Sequence, residues 1–425
     1  MDWNFLIRNK SAISVSTDTR NLPAGCVFFA LKGQNFNGNM FALQALETGA
    51  EYAVVDEEIP LTCSMKQSYD GRIIRVENSL VALQDLARAW RRQWAEQNPQ
   101  RKVVAITGTN GKTTTKELTA AVLSTKYRVL YTEGNLNNQV GVPLTLLRLT
   151  SDHDIAIVEM GASHIGDIRE LVDIAEPDAG IITNVGKAHL LGFGSFEGVM
   201  QTKGELYEYL NAKQTEHNCK TVIFRNLDNQ YLADMANLYA PNVQTIGYHR
   251  KSMPEGVQLT GSYNAENIQA AITIGCYFGV TEKDALHAVV AYQPRNNRSQ
   301  LVHTACNTLV VDAYNANPTS MHAAIESFLV SFGNNEQTML ILGDMLELGD
   351  YSHAEHQNIV NMLEEQKVQG VLLVGHEFAQ TTAHYPVYET VEVLREQIEK
   401  QPFRGKNILL KASRGIHLEK IIDLL

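Results

Sequence analysis

Residues 103–116 read VVAITGTNGKTTTK, and this segment is the most informative one for predicting the fold. It begins with an apolar run that is typical of a buried strand, and the residues after it have the hydrophobic periodicity of a helix. Its glycine-rich part therefore lies between a strand and a helix N-terminus. Gly108 and Gly111 let backbone N–H groups turn toward an anion, while Lys112 and the hydroxyl of Thr113 suit phosphate and Mg²⁺. We therefore predict a site for a nucleoside triphosphate.

The match to the general phosphate-loop pattern G-x-x-x-x-G-K-[ST] is partial, because Ile106 stands where that pattern has its first glycine. A glycine-rich surface turn is the alternative interpretation of such a segment. The strand before the loop and the helix that we predict at residues 116–123 favour phosphate binding.

Length and composition bound the class of protein. A chain of 425 residues exceeds the size at which one hydrophobic core keeps growing, so we predict three domains. Hydrophobic residues make up 44% of the chain and charged residues 20%, as in ordinary globular proteins. No apolar run approaches the roughly 20 residues of a membrane span. The formal net charge of -11 argues against nucleic acid as the main partner, because a phosphate backbone requires a basic face.

The cellular compartment is indicated by the N-terminus and the cysteines. The first residues lack the basic segment and the long apolar core of a signal peptide. The cysteines are scattered singly, without a C-x-x-C pair, which fits unpaired thiols in a reducing compartment: Cys26, Cys63, Cys219, Cys276 and Cys306. We expect a soluble, cytoplasmic protein.

Hydrophobic periodicity predicts an α/β fold in three domains. Short β-rich runs with one helix indicate a small α/β N-terminal domain at residues 1–80. Strands that alternate with helices indicate a central P-loop-type ATPase domain with a mostly parallel sheet at residues 81–296. After a polar break at residues 293–298, the same alternation indicates a doubly wound, Rossmann-like C-terminal domain at residues 297–425. The predicted strands are residues 13–17, 26–31, 51–55, 72–76, 102–107, 128–131, 154–159, 179–185, 221–225, 308–313, 338–342, 370–374 and 407–411, and the predicted helices include residues 40–49, 79–97, 264–278 and 282–292.

Three residues outside the phosphate loop are candidates for a functional role in the nucleotide site. Glu159 closes a predicted strand, where its carboxylate suits a Mg²⁺ ion that bridges two phosphates; a salt bridge or a helix cap is the alternative. His189 follows the next strand and could serve as a ligand or a proton-transfer group, although spacing alone favours a hydrogen-bonded loop histidine. Lys203 lies at the start of a helical stretch, where most lysines are simply solvated.

Polar clusters also follow strands of the third domain. Asp312 opens an acid–aromatic–amide cluster at residues 312–318, residues 343–349 hold two acids between glycines, and residues 411–415 hold two cations. Structural roles are the alternative for the last two clusters. Because ligands of such sheets gather beyond the carboxyl ends of the strands, we expect these clusters to lie near a ligand.

Taken together, these segments resemble the Mur ligase family, the ATP-dependent amide-forming enzymes of peptidoglycan precursor synthesis, over nearly the full chain. The loop at residues 107–114 is similar to the ATP motif of that family, which has no glycine at the position of Ile106. Segments at residues 134–138, 314–318 and 343–349 resemble one member of the family more than its siblings.

The resemblance implies roles for the candidate residues. ATP contacts are implied for Gly108, Thr109, Asn110, Gly111, Lys112, Thr113, Thr114, Asn264, Asn267, Arg298 and Asp312. Two Mg²⁺ ions are implied at Thr113, Glu159, His189 and a carbamoylated Lys203, and catalytic roles are implied for Lys112, His189 and Lys203. Contacts to the uridine diphosphate are implied for Ser16, Asp18, Thr19 and Arg20. Other substrate contacts are implied for Asn135, Asn137, Asn138, Asn315, Lys411 and Arg414.

The implied reaction joins D-Ala-D-Ala to UDP-MurNAc-tripeptide through an acyl phosphate, with ATP as the phosphoryl donor. We expect a monomeric enzyme of the bacterial cytoplasm. The alternatives are a sibling ligase, such as the tripeptide-forming or folylpolyglutamate-type enzymes, and a non-catalytic nucleotide-binding protein. The sequence leaves open whether the third residue of the peptide is lysine or diaminopimelate. Tyr263 and Ala412 depart from the family pattern, which more often has histidine and glycine there.

Overall fold

The computed structural model describes residues 3–8, 10–33, 35–61, 67–294 and 298–425. These residues form three β-sheets that follow one another along the chain, and helices pack against each sheet. The predicted α/β class with mostly parallel sheets is therefore confirmed. The predicted boundary between the second and third domains, at residues 296 and 297, lies outside the described residues, as does Cys63.

The bounds of the elements follow the chain from N- to C-terminus. The strands are β1 Val15–Ser16, β2 Val27–Phe29, β3 Tyr52–Val55, β4 Ile73–Arg75, β5 Lys102–Thr107, β6 Val129–Tyr131, β7 Ile155–Glu159, β8 Ala179–Ile182, β9 Val222–Asn226, β10 Gln244–Tyr248, β11 Gln300–His303, β12 Thr308–Asp312, β13 Thr338–Gly343, β14 Val371–Val374, β15 Val387–Tyr388 and β16 Asn407–Lys411. The α-helices are α1 Asn4–Ile7, α2 Ala42–Thr48, α3 Ser79–Glu96, α4 Lys112–Leu123, α5 Gly141–Leu146, α6 Asp167–Ala175, α7 Leu190–Phe193, α8 Phe196–His217, α9 Gln230–Tyr239, α10 Asn264–Tyr277, α11 Glu282–Ala291, α12 Pro318–Phe332, α13 Ser352–Glu365, α14 His376–Ala379 and α15 Val391–Lys400.

The N-terminal sheet is parallel, with the strand order β1-β2-β3-β4. Successive side chains of β2 point to opposite faces, as the pleat requires. Phe28 packs into the core beneath α2, whereas Val27 and Phe29 pack into the core formed by α1 and α3. Helix α3 also packs against helices of the second sheet, so this helix joins the first unit to the second.

The central sheet is parallel, with the order β10-β9-β8-β5-β7-β6. Its middle strands are continuous apolar runs, because helices cover both of their faces. Helices α4, α10 and α11 cover one face, and α3, α5, α6, α8 and α9 cover the other. After β5 the chain forms β6 and β7, which both lie on one side of β5. The next strand, β8, pairs with β5 on its other side. This change of direction opens the crevice in which such sheets bind ligands.

The C-terminal sheet has the order β11-β12-β16-β13-β14-β15, and only the β11–β12 pair is antiparallel among its described strands. Helices α12 and α13 pack on one face, and α15 packs on the other. Asp312, Gly343 and Lys411 end neighbouring strands at the same edge of the sheet. The three polar clusters that the sequence predicted at strand ends therefore lie at one edge.

The structure corrects several predicted elements. Strands β10, β11 and β15 were not predicted; all three lie at sheet edges, and β10 is largely exposed, so an apolar signal is weak there. The strand predicted at residues 179–185 ends at Ile182, because the next two residues bind the phosphate loop instead. The helix predicted from Lys116 begins at Lys112, where Gly111 enters it with a φ of 80° and its carbonyl accepts the first helical bond from Thr115.

None of the helices in the described part of the chain is both long enough and apolar enough to cross a membrane.

Candidate active site

The phosphate loop joins β5 to α4 and depends on two glycines. Gly108 has a φ of 139° and Gly111 a φ of 80°, both in the region that disfavours side chains. A Cβ atom on Gly108 would lie 2.0 Å from Thr183 Oγ1, and one on Gly111 would lie 2.4 Å from Asn267 Oδ1. The two glycines therefore provide both the backbone turn and the close packing of this loop.

Lys112 is the first residue of α4, so its ammonium group lies beside the positive end of the helix dipole. Its Nζ donates to the carbonyl oxygens of Gly108 and Thr109, at 2.7 and 2.9 Å. Burial lowers the pKa of Lys112 to about 8, Glu159 opposes that shift, and Arg298 adds to it. A phosphate group in the loop would offer this ammonium a stronger partner than the two carbonyls do.

Glu159 ends β7 directly beside the helix N-terminus. Its Oε1 accepts from the hydroxyl of Thr113 at 3.1 Å and from Nδ2 of Asn137 at 2.9 Å. Its Oε2 has no hydrogen-bond partner among the described residues, although Nζ of Lys116 lies 3.8 Å away. Glu159 is only 1% exposed, and the Lys116 ammonium is too distant to donate a hydrogen bond to Oε2, so this oxygen has room for a further ligand such as a metal ion.

His189 and Lys203 both contact the aromatic ring of Phe193. His189 adopts a φ of 50°, and its Nδ1 forms a hydrogen bond of 2.6 Å with Oε2 of Glu347, which follows β13 of the C-terminal sheet. This hydrogen bond lowers the pKa of Glu347. Nζ of Lys203 lies 5.4 Å from the centroid of the Phe193 ring, and the His189 ring meets the same ring edge-on.

Lys203 is buried in the protein interior. It is 2% exposed, and burial, assisted by the charge of Lys112, holds its pKa well below the usual value. The solvated lysine that its position in a helix suggested is therefore ruled out. A buried amine with a depressed pKa is more often uncharged, and an uncharged amine is a nucleophile.

Two asparagines at the start of α10 form an ordered amide chain behind the phosphate loop. Asn267 Nδ2 donates to Asn264 Oδ1 at 2.8 Å, and Asn264 Nδ2 donates to the carbonyl of Thr260 at 2.6 Å. Thr115 Oγ1 donates to Asn267 Oδ1 at 3.1 Å. These contacts fix the amides in one orientation beside the loop.

The C-terminal sheet supplies a charged wall. Lys411 is 2% exposed, and its Nζ contacts Oδ2 of Asp312 and the carbonyl of Asn315, both at 2.8 Å. The guanidinium carbon of Arg298 lies 3.8 Å from the centroid of the Tyr314 ring, and that of Arg414 lies 5.4 Å from it. Two arginines are thus held by the face of one tyrosine, which leaves their N–H edges for anionic groups.

A cleft of about 930 Å³ lies between the central and C-terminal sheets. It brings together these predicted residues: Thr109, Asn110, Gly111, Lys112, Thr113, Thr114, Asn135, Asn137, Asn138, Glu159, His189, Asn264, Asn267, Arg298, Asp312, Asn315, Lys411 and Arg414. Gly108 and Lys203 are not among the residues that line it. Ser16, Asp18, Thr19 and Arg20 lie around the end of β1 in the N-terminal unit, outside this cleft. There the Arg20 guanidinium pairs with Asp18 at 2.6 Å and lowers the pKa of that carboxyl to about 2.

The cleft also contains residues that the sequence analysis did not single out, among them Gln139, Ser163, His164, Asp167, Glu266 and Thr319. Ser163, His164 and Asp167 follow β7 at the same sheet edge as Glu159. The rule that ligands gather at strand ends could therefore have identified them from the sequence. The contact between His189 and Glu347 had no such signal, because it joins two different sheets.

Comparisons with known proteins agree with this geometry. The Mur ligase middle domain matches residues 106–275, and the Mur ligase, glutamate ligase domain matches residues 297–415. The UDP-N-acetylmuramoyl-tripeptide–D-alanyl-D-alanine ligase of Bacillus subtilis is 34% identical, over 96% of this chain and 92% of the relative. The ligase of the same name from Escherichia coli is 35% identical, over 97% of this chain and 93% of the relative.

The fold agrees with a solved structure as well. MurF ligase from Thermotoga maritima, solved in complex with ADP, superposes with a TM-score of 0.82 at 25% identity, over 97% of each chain. This match confirms the predicted three-domain α/β architecture. The sequence similarity extends through all three sheets, and most of the predicted site residues line one cleft. This chain belongs to the Mur ligase family.

Proposed function

We propose that this chain joins D-alanyl-D-alanine to UDP-N-acetylmuramoyl-tripeptide, using ATP as the source of energy. The observation that carries this function is that the phosphate loop and the charged wall of the C-terminal sheet line one cleft. A phosphoryl donor at the loop can thus meet a carboxylate and an amine within one enclosed space. The relatives that carry this name cover nearly the whole chain, which supports the same reaction here.

The chemistry requires an activated carboxyl group, because a carboxylate is a poor electrophile. A carboxylate oxygen of the tripeptide attacks the γ-phosphorus of ATP, the bond to the bridging oxygen breaks, and ADP leaves. The amine of D-alanyl-D-alanine then attacks the carbonyl carbon of the acyl phosphate. Inorganic phosphate leaves, and the nitrogen loses a proton to give the amide. Phosphoryl transfer of this kind depends mainly on positioning and on neutralisation of charge.

Several residues would supply that neutralisation. The Lys112 ammonium and the N-terminus of α4 face the phosphates, and backbone N–H groups of the loop surround them. Asn264 and Asn267 would hold the adenine. Arg298 and Asp312 would contact the remainder of the nucleotide from the C-terminal side. Closure of the two sheets around the cleft would keep water from the acyl phosphate.

The residues present fit Mg²⁺. Thr113 and Glu159 offer a hydroxyl and a carboxylate oxygen that has no hydrogen bond, and Mg²⁺ is commonly held by one or two carboxylates together with phosphate oxygens. His189 and Lys203 would hold a second ion. When bound, the two ions supply neutralisation of the charge on the transferring phosphoryl group. Within the described part of the chain, no group of three or more Asp, Glu, His or Cys residues is placed to hold a metal ion.

Lys203 fits this role as a carbamate. Its uncharged amine would add to CO₂, with formation of an N–C bond and loss of one proton, and the product carries a carboxylate-like anion. The buried position and the depressed pKa of Lys203 support this modification, because a protonated lysine cannot react in this way.

The substrates would extend across all three units. Ser16, Asp18, Thr19 and Arg20 would hold the uridine diphosphate, and Asn135, Asn137 and Asn138 would contact the sugar–peptide part. Asn315, Lys411 and Arg414 would receive the dipeptide. We further propose that residues 1–80, 81–296 and 297–425 are the three domains, and that the protein acts as a monomer in the bacterial cytoplasm.

Phosphate release from ATP tests this function. The protein is incubated with UDP-MurNAc-tripeptide, and D-alanyl-D-alanine or single amino acids are added in turn. Release that requires D-alanyl-D-alanine, with a pentapeptide product by mass spectrometry, is the expected result. Release that requires a different amino acid would instead identify a sibling ligase. ATP binding without any substrate-dependent release would identify a non-catalytic nucleotide-binding protein.

A further inference from the structure

Asn317, from the C-terminal unit, directly contacts the phosphate loop of the central unit. Its Nδ2 donates to Asn110 Oδ1 at 2.8 Å, and Asn110 Nδ2 donates back to Asn317 Oδ1 at 3.4 Å. Asn317 is only 5% exposed. The two amides thus form a reciprocal pair between the loop that would hold the phosphates and a separate sheet.

Asn110 is fixed on its other side as well. Its backbone N–H donates to Asn184 Oδ1 at 2.9 Å. Its carbonyl accepts from Thr183 Oγ1 at 2.6 Å and from Asn184 Nδ2 at 3.0 Å. Asn110 therefore links the segment that follows β8 to the C-terminal unit, and a displacement of either neighbour would move the phosphate loop.

Asn317 is rigidly connected to its own unit. Its Oδ1 accepts from the backbone N–H of Ser320 at 2.9 Å, and the hydroxyl of Ser320 accepts from the N–H of Asn317 at 3.0 Å, which completes a capping box on α12. Helix α12 buries Met321 and Ile325 in the C-terminal core. The position of Asn317 therefore follows the position of the whole C-terminal sheet.

We infer that Asn317 is a positioning residue that couples docking of the C-terminal unit to the shape of the phosphate loop. The inference rests on the proposed ligase function for its kinetic consequence. When the C-terminal unit docks, the amide pair holds Asn110 in place and with it the N–H groups that face the phosphates. Phosphoryl transfer then proceeds only when the cleft is closed around both substrates.

Asn317→Ser separates this role from capping. Serine is also a favoured N-cap residue, so the variant keeps the helix cap but loses the amide that reaches Asn110. Asn78→Ser is the matched control, because Asn78 caps α3 through bonds to Leu80 and Val81 and does not line the cleft. We expect Asn317→Ser to lower kcat about tenfold, the scale of one or two lost hydrogen bonds. Its melting temperature should stay close to those of the wild type and of Asn78→Ser, because the helix cap is kept.

A double-mutant cycle with Asn110→Ser supplies the decisive comparison. If the two amides act as a unit, the double variant loses no more activity than the worse single variant. Losses that multiply, or a wild-type kcat for Asn317→Ser, would overturn the inference.

Small-angle X-ray scattering gives a readout that does not depend on the ligase reaction. We expect Asn317→Ser with ADP to have a larger radius of gyration than the wild type with ADP. Identical scattering would also overturn the inference. A wild-type protein that shows no dipeptide-dependent phosphate release would count against the proposed function only, and scattering would still decide the role of Asn317.

Discussion

At the scale of single residues, Lys112 offers the clearest test of the phosphate site. We predict that Lys112→Met lowers kcat/KM by at least about a hundredfold, because the variant loses the ammonium group that would neutralise the transferring phosphoryl group. The exposed Lys283 on α11 supplies the control Lys283→Met. Phosphate release measures activity, and circular dichroism checks the fold. A variant that keeps more than about a tenth of the wild-type rate would contradict this role.

Lys203 permits a chemical rescue experiment. We predict that Lys203→Ala loses activity and that acetate or formate partly restores it, because a small carboxylate can occupy the space of the proposed carbamate. Lys220→Ala, at an exposed lysine, should respond to neither acid. The wild type in ¹³C-bicarbonate should show a carbamate signal by NMR that Lys203→Ala lacks. Full activity of Lys203→Ala without added acid would exclude the carbamate.

The sequence predicted individual residues well where strand ends determine their position. Glu159 ends β7 beside the loop because the carboxyl ends of parallel strands share one edge, and this follows from chain order alone. The contact between His189 and Glu347 depends on how two sheets dock, so no local pattern contains it. The burial of Lys203 was likewise hidden, because it depends on Phe193 and on the packing of α8 against the sheet.

At the scale of one element, the phosphate loop depends on Gly111. We predict that Gly111→Ala lowers ADP affinity by at least about tenfold, because a Cβ there would lie 2.4 Å from Asn267 Oδ1 and the loop must move. Gly405→Ala is the control, since Gly405 has a φ of 66° and no atom within 4 Å of the added Cβ. Both variants carry the strain of a positive φ, about 1 kcal/mol, but only Gly111→Ala carries the clash. Calorimetric titration with ADP compares them, and equal losses would show that backbone strain alone is responsible.

Elements in the interior of the sheets were the easiest to predict. Strands β5 and β7 are continuous apolar runs covered on both faces, and their predicted bounds differ from the observed ones by no more than a residue. Edge strands β10, β11 and β15 carry a weaker pattern, because one side of each lacks a neighbouring strand and solvent tolerates polar residues there. The start of α4 was misplaced because Gly111 begins the helix earlier than its apolar positions indicate.

At the scale of the whole molecule, the segment after β8 holds the central and C-terminal units together. Lys187 Nζ pairs with Oε1 of Glu355 on α13 at 3.0 Å, and two residues later His189 contacts Glu347. A Cβ on Gly186 would lie 3.0 Å from Thr319 Oγ1, so the backbone approaches α12 closely. Charge and shape therefore both favour the docked arrangement, and the charge contribution can be reversed without changing the residues that line the cleft.

We predict that Lys187→Glu opens the cleft, because it replaces an attractive pair by two carboxylates, one on an exposed position and one on Glu355, which is 9% exposed. The radius of gyration by X-ray scattering should rise, and kcat should fall several-fold with little change in the affinity for ADP. Lys187→Glu combined with Glu355→Lys restores the pair with opposite polarity and should recover both values. If the double variant stays as open and as slow as Lys187→Glu alone, the ion pair does not control docking, and the amide pair and the close packing at Gly186 would then hold the units together without it.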